Sequence, residues 1–369
     1  MQCNCMMGLF PEIGRAWLTI DSAIYVWMYK DGSDLAYFDG LQDTILAVAL
    51  IKPKPGVFKP YIEHLLVLTT PSELLLLGVT FSQALEDDST SCLTLLPEPL
   101  FSVANDGVVL ATAEEGWFSR KCQKVNHSRS ALASLLPSFL TLSEQDCLIQ
   151  IDVDESRCCL FTLSERGSIS LYDIEGGACT RVATLTHATI MTAASAAART
   201  VDKANFKSIV SICALTASEA SWLHLLAFTS CGVRLYFTAT AAASPASARP
   251  HHLQLVHVRL PPGFSANSLT HRPTRVHKAL YSNGCSVLCA SEAPDSDVLW
   301  SVSPEQFPQH ATLAESAAVL AVDGVIWAIA DVTPTSRWCA TSSVSAGVPR
   351  LREYWCTTSA VSAGVPRLQ

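Results

Sequence analysis

Three acidic residues lie close together and form the densest group of candidate catalytic or metal-binding side chains. Asp152, Asp154 and Glu155 follow an alternating apolar segment. Paired carboxylates can bind Ca²⁺ or act as a general acid and base. The group lacks the regularly spaced oxygen ligands of an EF-hand loop. We therefore predict that it forms a solvated β-turn between two strands.

Three histidines form the second candidate group. His251, His252 and His257 lie within a short segment that has no cysteine or carboxylate at metal-ligand spacing. In an extended strand, residues 251 and 257 would point to one face and residue 252 to the other. A surface strand explains the group better than a zinc site, because zinc needs convergent ligands.

Cysteines and glycines supply no further chemistry. The chain has 14 cysteines, and the closest groups do not form the C-x-x-C pairs of a zinc ribbon. These groups are Cys3 with Cys5, Cys158 with Cys159, and Cys285 with Cys289. We predict reduced thiols. Gly176 and Gly177 follow a strand but lack the Lys-Ser/Thr pair of a phosphate-binding loop. We therefore predict no enzymatic activity, cofactor, metal or small-molecule substrate.

The composition indicates a chain built from buried strands. Hydrophobic residues make up 49% and charged residues 16% of the chain, and the apolar residues occur in short runs such as 45–51, 65–68 and 74–79. Such runs are too short to span a bilayer, which needs about 20 residues. The net charge is −8 and no Lys/Arg stripe is present, so no direct nucleic-acid binding is predicted. Residues 1–15 lack the features of a secretory signal.

A pattern of three strands and two turns recurs along the chain. Its copies cover residues 44–79, 148–174, 208–237 and 275–302. The last three copies recur at intervals of about 65 residues, longer than the roughly 40 to 50 of familiar propeller repeats. Radial repetition of small antiparallel sheets predicts a β-propeller, whereas a β-sandwich remains the alternative on strand pattern alone.

The end of the chain contains a nearly perfect duplication. Residues 338–351 (WCATSSVSAGVPRL) return as residues 355–368 (WCTTSAVSAGVPRL). Two copies without apolar periodicity do not make a repeat architecture. We therefore predict an all-β domain over residues 1–335 and a disordered tandem-repeat tail over residues 336–369.

Six segments closely resemble one known family. They are residues 14–22 (GRAWLTIDS), 34–40 (DLAYFDG), 116–119 (GWFS), 125–128 (VNHS), 256–266 (VHVRLPPGFSA) and 276–282 (VHKALYS). In this order they resemble the N-terminal region of the large non-repetitive inner-ring nucleoporins, over residues 9–330. The resemblance implies a seven-bladed β-propeller. It also implies a non-enzymatic structural constituent of the nuclear pore complex, located at the nuclear envelope.

The resemblance also implies roles and partners. The family supports pore assembly, nuclear envelope organisation and the nucleocytoplasmic transport of protein and RNA. Its partners are other inner-ring nucleoporins, including a membrane-associated one. The chain departs from the family by a shortening within residues 101–117 and by its sequence after residue 332. We therefore predict an incomplete propeller of about four to five blades out of seven, with a few short loop helices.

Besides a scaffold, two other interpretations of the chain stay open at this point. The shortening and the tail would also fit a truncated or mispredicted fragment without function. A hydrolase on a propeller scaffold is the third alternative. It would require acid, base or metal residues that converge on the central channel.

The segment 186–206 (THATIMTAASAAARTVDKANF) is predicted to form a helix with one apolar face and a Thr/Ser-rich polar face. That pattern is typical of amphipathic helices that bind curved membranes, and the family resemblance implies a curved pore membrane. Alanine buries little area, so such contact would be weak. The alternative is a loop helix packed against a blade. The candidate membrane-contacting residues are Ile190, Met191, Ala194, Ala197, Val201 and Phe206.

Overall fold

The fold is known from a computed structural model. It describes residues 4–53, 55–83, 91–104, 109–115, 120–126, 146–175, 179–198, 208–240, 249–261, 275–282, 284–293, 296–302, 317–323, 325–331, 337–343 and 349–355. The chain divides into two compact units, Met1–Glu144 and Gln145–Gln369.

Unit 1 contains two blades of antiparallel strands. Blade 1 has four strands in sequential order: β1 (Cys5–Phe10), β2 (Arg15–Ile20), β3 (Ala23–Met28) and β4 (Ala36–Phe38). Blade 2 has five strands: β5 (Ala47–Ile51), β6 (His64–Thr69), β7 (Glu73–Gln83), β8 (Ser91–Leu95) and β9 (Phe101–Ala104). Within blade 2, β9 pairs with the first part of the long strand β7, and β8 pairs with the remainder.

The core of unit 1 lies between these two blades. Alternate residues of blade 1 point to it, because successive side chains of a strand face opposite sides. Ile24 and Phe38 are cross-strand partners in blade 1, and both join Leu66 and Leu77 of blade 2 in one buried cluster. A separate two-stranded sheet of unit 1 pairs β10 (Val109–Glu115) with β11 (Arg120–Asn126).

Unit 2 contains three four-stranded blades. Blade 3 consists of β12 (Leu148–Asp154), β13 (Cys159–Ser164), β14 (Ile169–Asp173) and β15 (Thr180–Leu185). A helix α1 (His187–Ala197) follows blade 3. Blade 4 consists of β16 (Ile209–Ala214), β17 (Leu225–Thr229), β18 (Arg234–Thr238) and β19 (Gln254–Arg259). Blade 5 consists of β20 (Val276–Ser282), β21 (Cys285–Ala293), β22 (Ser296–Val302) and β23 (Ala317–Asp323). A three-stranded sheet follows, made of β24 (Val325–Asp331), β25 (Arg337–Ser343) and β26 (Pro349–Trp355).

Blade faces in unit 2 bury the apolar runs that the sequence displays. All five residues of β17 and all five of β18 are buried. Strands buried on both faces read as continuous rather than alternating apolar segments. One cluster joins blades 3 and 4 through Phe161 and Leu235. A second joins blades 4 and 5 through Phe228 and Trp300.

The all-β propeller prediction is confirmed, and each predicted three-strand copy corresponds to the first three strands of a blade. Within the described residues the structure holds five blades and one α-helix, not the ring of seven that the resemblance implied. The fourth strand β15 was not predicted, because half of its residues are exposed, whereas β19 overlaps the surface strand predicted around His257. Residues 128–136, which precede Pro137, also indicated one of the short loop helices, and they lie outside the described residues.

Two described strands, β25 and β26, lie within the segment predicted to be a disordered tail, and that prediction stays untested. Strand β25 pairs with β24 over six residue pairs and with β26 over seven. Main-chain pairing of this kind needs no apolar periodicity, because every residue except proline contributes a donor and an acceptor whatever its side chain. The domain boundary at residue 335 stays a prediction.

Candidate functional site: helix α1 and the polar groups of blades 3 and 4

Helix α1 begins directly after the last strand of blade 3. Its N-cap is Thr186, whose hydroxyl accepts a hydrogen bond from the backbone N–H of Thr189 at 3.3 Å. A threonine in this position satisfies one of the free N–H groups of the first turn. The helix ends at Ala197, well before the predicted end at residue 206.

The apolar side of α1 is packed into the protein. Ile190 and Ala194 have no exposed surface and belong to the buried cluster that also holds Phe161 of blade 3 and Leu235 of blade 4. Met191 packs against the margin of the same cluster. The helix therefore fills space between two blades.

A glycine allows the first turn of α1 to approach blade 3 closely. Gly167, in the β13–β14 turn, has φ of +78°. A Cβ at this position would lie 2.9 Å from Cδ2 of His187. The position therefore requires glycine for its backbone conformation and for the close contact.

The predicted membrane-contacting residues fall into three groups. Ile190 and Ala194 are buried, Met191 is half-buried and Ala197 is exposed. The other two, Val201 and Phe206, lie outside the described residues. Since the strongest apolar residue of the helix faces the blade cluster, the geometry matches the alternative of a loop helix packed against a blade. The membrane contact stays a prediction.

The predicted solvated turn of blade 3 has one buried carboxylate, because Asp154 is buried while Glu155 is exposed and Asp152 is half-buried. Asp154 and Arg157 form an ion pair with Oδ2 and Nε 2.5 Å apart, and their side chains are at most 1% exposed. Asp154 also accepts hydrogen bonds from the backbone N–H and hydroxyl of Ser156. Its carboxylate is therefore fully engaged and does not offer free oxygens to a cation.

Arg157 extends this cluster into blade 4. Its guanidinium donates to the carbonyl oxygens of Leu215 and Ala220, which flank the start and end of a loop between β16 and β17. Sequence reasoning missed this arginine. The available signal was the spacing of Asp154 and Arg157 across a tight turn, which ends at Cys158 with φ of +52°.

The histidine group does not converge. The rings of His251 and His252 lie 4.5 Å apart before β19, whereas His257 lies in β19 against Tyr236. Burial and the neighbouring His251 lower the pKa of His252. In the described part of the chain, no group of three or more His, Cys, Asp or Glu side chains is placed to hold a metal ion.

Several cysteines are buried structural thiols. Burial raises the pKa of Cys159 and of Cys213 to about 12. Both remain protonated at neutral pH, and only the thiolate is a strong nucleophile or metal ligand. These side chains therefore serve as small apolar residues of the core.

No helix among the described residues combines the length and the apolarity needed to cross a membrane.

Comparisons with known proteins agree with the propeller architecture. Residues 1–113 and 109–338 match the Nucleoporin_N family, described as Nup133 N terminal like. The junction of the two segments lies inside residues 101–117, where the sequence indicated a shortening.

Among curated proteins, the chain is similar to the nuclear pore complex protein Nup154 of Drosophila melanogaster. They are 38% identical over 387 aligned residues, covering 90% of this chain and 28% of Nup154. The chain thus spans little more than a quarter of that relative.

Two solved structures are also similar. The Nup170 NTD in the crystal structure of the Chaetomium thermophilum Nup170 NTD–Nup53 complex is 26% identical. The TM-score is 0.73, and the match covers 95% of this chain and 58% of the Nup170 chain. The Nup133 β-propeller domain of Vanderwaltozyma polyspora, 9% identical with a TM-score of 0.50, covers 94% of each chain and supports the fold alone. The chain therefore belongs to the nucleoporin family that the Nup133 N-terminal-like model describes.

Proposed function

We propose that this chain is a structural constituent of the nuclear pore complex that acts as a scaffold at the nuclear envelope. The single observation that carries the proposal is the likeness to the Nup170 NTD over 95% of the chain at a TM-score of 0.73. The 38% identity to Nup154, a nuclear pore complex protein, supports the same role. Through that role the chain would support pore assembly and the transport of protein and RNA.

Chemistry within the described residues also favours a scaffold over an enzyme. The buried carboxylate of Asp154 is held by Arg157 and Ser156. An enzyme needs an accessible acid, base or nucleophile beside a substrate. A propeller instead offers rigid sheets and loops to other proteins, which is a common use of this fold.

The partners we propose are other inner-ring nucleoporins, one of them membrane-associated. The relative of known structure was crystallised with Nup53. A chain that shares its fold over nearly the whole length is expected to bind a protein of the same kind.

Binding to purified Chaetomium thermophilum Nup53 tests the partner proposal. The complete 369-residue chain is titrated with Nup53 by isothermal calorimetry, beside the Chaetomium thermophilum Nup170 NTD as positive control. We expect saturable binding of both proteins, with a Kd of about 10 µM or tighter for the chain. Saturable binding of the NTD control with no heat change for the chain would contradict the proposal.

A further inference from the structure

The first strand of each blade in unit 2 lies at a sheet edge. Strands β12, β16 and β20 each pair through the main chain with a single neighbour, the second strand of the same blade. The other edge of such a strand carries backbone N–H and C=O groups that need partners when they are buried. In each of these three strands, the backbone groups of one edge therefore need hydrogen-bond partners from outside their own sheet.

Side chains of β12 form hydrogen bonds with the backbone groups of the free edge of β16. Gln150 donates from Nε2 to the carbonyl of Ile212 at 2.7 Å, and its Oε1 accepts from the N–H of Ile212 at 2.8 Å. Two residues further along, Asp152 accepts through Oδ2 from the N–H of Ala214 at 2.8 Å. Both side chains point to the same side of β12, since residues i and i+2 share one face.

The same spacing recurs one blade later. Ser211 of β16 donates its hydroxyl proton to the carbonyl of Ala279 in β20 at 2.8 Å. Two residues on, Sγ of Cys213 accepts from the N–H of Tyr281 at 3.4 Å. Polar side chains at i and i+2 on one first strand thus contact backbone groups at j and j+2 on the next. We call these five hydrogen bonds the first-strand ladder.

The hydrogen bonds from β16 to β20 are buried and those from β12 to β16 are partly buried, which makes them costly to leave unmade. Ser211 and Cys213 are buried, and burial raises the pKa of Asp152, partly offset by hydrogen bonds from the N–H groups of Ala214 and Val153. An unpaired buried donor or acceptor costs free energy, more for a charged group. Separating one blade from the next therefore breaks several such bonds at once.

We propose that the first-strand ladder couples blades 3, 4 and 5 so that they open and unfold as one cooperative block. Apolar contact between blade faces is non-directional and tolerates sliding. The ladder adds directional bonds at fixed positions and so defines the register between blades. The coupling is a property of the fold and does not depend on the proposed function.

Native-state hydrogen exchange of the complete chain tests the proposal. The reporters are the amides of Phe161 in blade 3 and Ala227 in blade 4, and the variant combines Gln150→Ala with Asp152→Ala. In the unaltered chain, both amides are expected to exchange through one shared opening with equal denaturant dependence. In the ladder variant, Phe161 should exchange at least tenfold faster than Ala227.

Two controls separate coupling from general destabilisation. Leu160→Ala removes a buried apolar side chain of blade 3. Leu160 pairs with Val153, so it lies on the face opposite Gln150 and Asp152, and Phe161 and Ala227 should accelerate together. Ser211→Ala removes a single rung and is expected to fold normally. In this variant the exchange rates of amides in blade 4 and in blade 5 should differ by a smaller factor, about threefold. Equal acceleration of Phe161 and Ala227 in the ladder variant would overturn the proposal, as would an unchanged rate for both.

Discussion

The buried ion pair of Asp154 and Arg157 allows a prediction that can be worked out quantitatively. Arg157→Met keeps the length of the side chain and removes its charge and its hydrogen bonds. The carboxylate of Asp154 would then stay buried without its cation, and the carbonyls of Leu215 and Ala220 would each lose a donor. Removing one partner of a buried pair costs about 3–5 kcal/mol.

That loss is large relative to the total stability. A domain is stable by about 5–15 kcal/mol, so 4 kcal/mol lowers the folded-to-unfolded ratio roughly a thousandfold. Asp154→Asn should cost a similar amount, because it leaves the guanidinium buried without a counter-ion. The double variant should lose at least about 2 kcal/mol less than the sum of the singles, since the two groups interact directly.

Urea unfolding of the complete chain, followed by circular dichroism and tryptophan fluorescence, measures these free energies. Arg249→Met is the matched control. Arg249 is 65% exposed and pairs with Asp173 and Glu175 at the surface. A surface pair contributes about 1 kcal/mol or less, so the control should unfold almost as the unaltered chain does. Strict additivity in the double variant, or a loss below about 1 kcal/mol for Arg157→Met, would refute the reasoning.

Three further predictions concern single residues of unit 2. Burial lowers the pKa of His224 to about 4 from 6.5. The unfolded chain therefore takes up a proton at His224 at a higher pH than the folded chain does. Urea titrations should show about 3 kcal/mol of stability lost as pH falls from about 6.5 to 4. His224→Gln should flatten that profile, and an unchanged slope would be inconsistent with a neutral buried imidazole. Ile190→Asp should lower the melting temperature strongly and exposed Thr192→Asp only slightly, because only the former buries a charge in the blade cluster. Gly167→Ala should cost about 1–2 kcal/mol in urea, through its positive φ and the contact with His187, and a neutral effect would show that α1 moves aside freely.

The membrane prediction has its own test. Ile190→Asp combined with Val201→Asp removes the two largest aliphatic residues of the proposed apolar face. Flotation with small, strongly curved liposomes measures binding of the complete chain. Unchanged flotation of the double variant would eliminate the membrane role. Lost flotation of Val201→Asp alone, with an unchanged melting temperature, would support it.

Much of the fold could be predicted from the sequence, because strands that are buried on both faces have continuous apolar sequences. Strands β17 and β18 are examples, with every residue buried. Strand β15 (TRVATL) carries a weaker signal, because it is the outer strand of its blade and half of its residues face solvent. Blade 3 was therefore predicted one strand short.

The contacts between blades could not be predicted, because they depend on register between distant segments. Gln150 and Ile212 are 62 residues apart, and nothing local indicates that one contacts the other. Helix α1 illustrates the same limit. Its apolar periodicity indicated a helix, but a buried Ile190 and a membrane-facing Ile190 produce the same pattern.

The location of the chain in cells tests the central claim most directly. The complete chain, carrying a fluorescent tag, is expressed in Drosophila melanogaster cells and imaged beside labelled Nup154. A pore scaffold should give a punctate nuclear rim that coincides with Nup154 and recovers slowly after photobleaching. A diffuse signal that recovers within seconds, from a chain that circular dichroism shows to be folded, would contradict the account.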